Sequence, residues 1–82
     1  MGISIEDLEA SLGRVEPRIH WLVSSFQIPG QAVESVLEKA VVAVLEEPEP
    51  AASTDPDALL LGSVQRECLI YWRDLRRRVL GQ

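Results

Sequence analysis

The feature that most constrains this chain is the spacing of its large apolar residues, which return at three- and four-residue steps in three separate runs. Ile5, Leu8, Leu12, Val15, Ile19, Leu22, Val23 and Phe26 form the first run. Ala32, Val33, Val36, Leu37, Ala40, Val41, Val44 and Leu45 form the second, and Leu60, Leu61, Val64, Cys68, Tyr71, Trp72, Leu75 and Val79 the third. That period places each set on one face of a helix, and nothing alternates with period two for long enough to make a strand.

Local signals punctuate the runs. Ser4 followed by Glu6 and Asp7 reads as a capping hydroxyl with acids in the first helical turn, where they meet unpaired amides and the positive end of the helix dipole. Pro17 removes one backbone donor, which predicts a kink or a break in the first helix between Gly13 and Pro17. Ile28-Pro29-Gly30 is a breaker, after which the second helix runs from Gln31. Residues 46–54 hold two prolines, three acids and no large apolar side chain, so they read as an exposed loop. Asp55-Pro56-Asp57 then opens a long third helix that Gly81 stops. The expected fold is all-α: one domain over residues 1–82, a small bundle of about three helices whose stripes cover one another.

Composition narrows the function classes. Hydrophobic residues make up 46% and charged residues 26%, which suits a folded chain and not a disordered one. The lone cysteine, Cys68, cannot form an intramolecular disulfide or build a metal cluster, and reads as a buried structural thiol in a reducing cytoplasm. The longest apolar run, Ala40 to Leu45, is far short of the roughly 20 residues that span a bilayer. No basic-then-apolar signal pattern opens the chain, so a cytoplasmic protein without membrane partners is expected. His20 is the only histidine, no glycine-rich phosphate loop appears, and the carboxylates crowd helix starts and the proline loop. The expectation is therefore a protein that is not an enzyme and needs no cofactor.

The net charge of −5 is unevenly placed. Residues 1–57 carry three basic side chains against eleven acidic ones, whereas residues 58–82 carry five arginines against Glu67 and Asp74. The arginines fall largely outside the apolar stripe of the third helix. Two readings stand: cations that complement the helix C-terminus and keep it solvated, or a surface for an anionic partner, with nearby aromatics stacking on bases. Tyr71 and Trp72 admit both readings, Trp72 leaning to the core.

The stretch "ALLLGSVQRECLIYWRDLRRR" and, more loosely, "QAVESVLEKAVVAVLEE" together resemble region 2 of the extracytoplasmic-function branch of bacterial sigma-70 factors. Leu60-Leu61-Gly62-Ser63, Cys68-Leu69, Tyr71-Trp72-Arg73 and the arginine run carry the resemblance at one spacing. It implies a domain of transcription initiation whose second helix docks on the clamp helices of the largest subunit of core RNA polymerase, here through Glu34 and Glu38. It implies also that Arg66, Tyr71, Arg73, Arg76 and Arg77 hold single-stranded promoter −10 DNA. Only region 2 is matched, so an accessory protein supplying the C-terminal promoter-binding domain is a further implied partner. Glu67 stands where the family often has asparagine, and the acidic loop is unlike one that receives DNA. Those residues motivate an alternative: a helical interaction module or regulator that occupies a sigma or polymerase surface without binding DNA. A helical oligomerisation unit is a third reading.

Overall fold

The computed structural model describes residues 4–46 and 55–81. They form three helices and no strand: α1 (Ile5–Ser25), α2 (Gly30–Leu45) and α3 (Pro56–Leu80). The all-α fold expected from the stripes is the fold observed. The acidic proline loop lies, from residue 47 to 54, outside the described residues.

Helix α1 starts where the Ser4 hydroxyl accepts a hydrogen bond from the Asp7 amide at 3.1 Å. It is not split at Pro17, which sits inside one continuous helix. The bond lost there is to the carbonyl of Gly13, and both residues are exposed, so water can satisfy the freed oxygen. The helix ends in a Schellman turn: the Ile28 amide donates to the Val23 carbonyl at 2.9 Å and the Gln27 amide to the Ser24 carbonyl at 3.0 Å. Gln27 takes φ 55°, the left-handed conformation this turn needs. Ile28 and Val23 are both buried and supply the apolar contact that accompanies the motif. Pro29 then precedes the first residue of α2.

Helix α3 opens with the Asp55 carboxylate accepting from the Asp57 amide at 3.2 Å, and Pro56 fills the first helical position. It is the central element. Leu60, Val64 and Cys68 are wholly buried between Leu8, Val15, Ile19 and Val23 of α1 and Val36, Ala40 and Val44 of α2. Helices α1 and α2 each pack along α3 and barely touch one another. Asp57 meets Ser11 and Arg14 at one end, while the Trp72 indole reaches the Phe26 carbonyl at the other, so α1 and α3 run in the same direction. Helix α2 runs the opposite way, with Ala40 beside Ser63.

Among the described residues, two buried ones are polar. The Ser63 hydroxyl donates to the Ala40 carbonyl at 2.9 Å, and the Ser11 hydroxyl donates to the Asp57 carboxylate. A small side chain with its own acceptor lets helix backbones approach without leaving an unpaired donor. The third stripe is longer than the bundle it serves. Val79 and Leu80 are exposed, and Trp72 lies at the surface instead of in the core, because α3 runs on past its neighbours.

Candidate functional site

Successive side chains on a helix turn by about 100°, so Arg66, Arg73 and Arg77 fall within about 20° of one line along α3. All three are exposed, on the side opposite Val64, Cys68 and Leu75. Arg76, also exposed, lies further round toward α1, in file with Gly62, Gln65, Leu69 and Trp72. Arg73 is 3.6 Å from Asp74, an exposed pair of little net worth.

Of the three acids of α3, Asp57 lies in its first turn, and Glu67 and Asp74 stand on the side toward α2. Glu67 and Asp74 line a groove against α2, together with Lys39, Tyr71 and Arg78. Tyr71 therefore does not join the arginines. Half-buried, it packs against the core and meets the Trp72 ring edge to face, centroids 5.3 Å apart at 85°. The Trp72 indole donates its N–H to the Phe26 carbonyl at 2.6 Å, which fixes the ring where α3 leaves the bundle.

Glu34 and Glu38 sit one turn apart on α2, both exposed. They edge an open groove of about 620 Å³ where α1 and α2 fail to close, floored by Leu12, Val33, Leu37 and Val41. Charged rim and apolar floor together suit an amphipathic helix carrying basic groups. This groove is physically separate from the arginine face, since it opens between α1 and α2 and not on α3.

Cys68 is fully buried, and burial, with the charge of Glu67 as a lesser cause, pushes its thiol above the usual range. A protonated, enclosed thiol is a packing group. Asp57 is held below the usual carboxylate range by hydrogen bonds from the Arg14 guanidinium, at 2.8 and 3.1 Å, and from the Ser11 hydroxyl. The same partnership raises Arg14 further above its ordinary value. This cluster ties the start of α3 to α1. Among the described residues, no helix is long and apolar enough to cross a membrane.

Sequence reasoning missed one arrangement. Arg18 and Trp21, three residues apart on α1, stand beside Leu61, Gly62 and Gln65 of α3 around a second open groove. The signal was a tryptophan off the apolar stripe, but the groove needs two helices and only the fold brings them together. No family model, no curated protein and no solved structure matches the chain.

Proposed function

We propose that the chain is a sigma region 2-like domain that acts in transcription initiation by binding, without catalysis, in the cytoplasm. Through the α1/α2 groove and Glu34 and Glu38 it docks on the clamp helices of core RNA polymerase. Through α3 it holds single-stranded promoter −10 DNA, with Arg66, Arg73 and Arg77 on the phosphates and Arg76 beside them. Tyr71 acts in this reading as the ring that props Trp72.

The observation that carries the reading is the segregation of charge on α3. Three arginines share one exposed line, while Glu67 and Asp74 border the groove against α2 and Lys39, Asp74 also lying 3.6 Å from Arg73. Glu67 thus stands about 100° round the helix from Arg66 and does not interrupt the cationic surface. The resemblance of "CLIYWRDLRRR" to sigma region 2 supports the choice of partner.

The test has two arms. The tagged chain is expected to retain core RNA polymerase, and Glu34→Lys with Glu38→Lys to lose it. Arg73→Glu, Arg76→Glu and Arg77→Glu together are expected to abolish binding to single-stranded −10 DNA without changing helix content by circular dichroism. Polymerase retention with no DNA binding at low salt would favour the second reading, a regulator that occupies the polymerase surface only. The apolar groove at Glu34 and Glu38 is what favours that alternative, because it needs nothing from the arginines.

A further inference from the structure

We infer that the groove between α1 and α3 at Arg18, Trp21 and Gln65 is a subsite for one unpaired base of a single-stranded nucleic acid. The inference rests on the reading of α3 as a single-strand-binding helix and extends it to α1, where that reading places nothing.

Trp21 is 69% exposed, although a large aromatic ring gains most by burial. It forms one wall of a groove of about 450 Å³, within the range of small-ligand sites. Leu22 and Leu61 make the floor, with Ala58 at one end. Gly62 leaves it open: a Cβ built there would meet nothing within 4 Å. Arg18 and Gln65 are the polar groups on the rim, and no carboxylate lines it. Asp57, which precedes Ala58, is hydrogen-bonded by Arg14 and Ser11, and the Arg18 charge acts on it only as a lesser influence. Arg18 itself makes no close ion pair among the described residues.

An open, largely apolar groove with an indole wall, a guanidinium in no close ion pair and a side-chain amide matches a nucleotide group by group. The indole stacks on the base, the guanidinium takes the phosphate, and the amide, both donor and acceptor, meets a base edge. An acidic peptide could use the guanidinium, but the arrangement repeats in a way that favours a polymer of bases and phosphates. Ala58, Gly62, Gln65, Leu69, Trp72 and Arg76 lie in one file along α3, at alternating steps of four and three. Further along that file a second groove pairs an indole with a guanidinium, Trp72 with Arg76, over Leu75, Val79 and Leu80. The two grooves are roughly 21 Å apart at about 1.5 Å per residue. No acid stands on the file between them.

The chain has two tryptophans, so Trp72→Phe leaves Trp21 as the sole indole reporter. This variant is titrated with oligothymidine of about ten nucleotides, inside the usual range of single-strand site sizes, while Trp21 emission and the anisotropy of the labelled oligonucleotide are followed together. Quenching of Trp21 in step with binding is the expected result. Trp21→Ala in the native background should weaken binding about tenfold or more, with unchanged circular dichroism because the ring is exposed. Arginine-dependent binding that leaves Trp21 emission unmoved, and is equal in Trp21→Ala, would overturn the subsite and leave the α3 reading standing. Quenching that persists with Arg73, Arg76 and Arg77 reversed to Glu would uphold the subsite and overturn the arginine face. Absence of any binding at low salt would overturn both. Equal quenching by polyglutamate would overturn the nucleotide assignment in favour of an acidic protein partner.

Discussion

Gln27 holds a conformation that suits glycine. With φ 55° it occupies the left-handed position of the Schellman turn, where a Cβ crowds the following carbonyl at a cost of about 1–2 kcal/mol. The turn survives because Val23 and Ile28 bury their side chains across it. Gln27→Gly should remove that strain, less the extra chain freedom glycine brings to the unfolded state, for a net gain of about 0.5 kcal/mol. For a chain of this size that is roughly 2–4 °C in Tm, measurable by thermal circular dichroism. A lower Tm would mean that chain entropy, not strain, decides this position. The buried hydroxyls of Ser11 and Ser63 make the complementary point: each is tolerated because its acceptor is in place.

Between elements, the contact most open to titration is the Ser11–Arg14–Asp57 cluster joining α1 to the first turn of α3. Asp57 is held below its ordinary value, so its contribution to stability is fully present above the unfolded carboxylate value of about 4 and is lost as pH falls through the lower folded value. Wild type should therefore lose Tm below about pH 4 more steeply than Asp57→Asn, which should be the less stable of the two at pH 7. Parallel pH profiles would show that the cluster adds nothing to folding.

The elements themselves were legible in sequence because apolar spacing, Ser4, Pro29-Gly30 and Asp55-Pro56 all act over a few residues. Pro17 does not break α1, because the missing hydrogen bond falls on the solvent side, where water can replace it. Trp72 and Val79 belong to the third stripe by spacing, yet spacing cannot say how far neighbouring helices reach, and α3 outruns both. Likewise, the spacing of Arg66, Arg73 and Arg77 could be read as lying outside the stripe, whereas the pairing of Arg18 and Trp21 with Gly62 and Gln65 depends on two helices packing in parallel.

At the scale of the whole molecule, the net charge of −5 opposes approach to a polyanion, so any nucleic-acid binding must come from the local surface. On α3, Arg66, Arg73 and Arg77 share one exposed line, while Glu67 and Asp74 border the α2 groove, Asp74 lying 3.6 Å from Arg73. Four phosphate contacts, from Arg66, Arg73, Arg76 and Arg77, would release counterions so that log K for a single strand falls with log salt at a slope of about −3. Arg18 should add about −0.7 to that slope if it holds a fifth phosphate, and Arg18→Ala should remove that increment. The measurement is oligothymidine binding by anisotropy across a salt series for wild type, Arg18→Ala and the triple arginine reversal. A slope near zero in wild type would mean that binding does not run through phosphates. A slope near −3 that Arg18→Ala leaves unchanged would confine the phosphate contacts to α3, because an α1 guanidinium on a fifth phosphate cannot be removed without changing the number of counterions released.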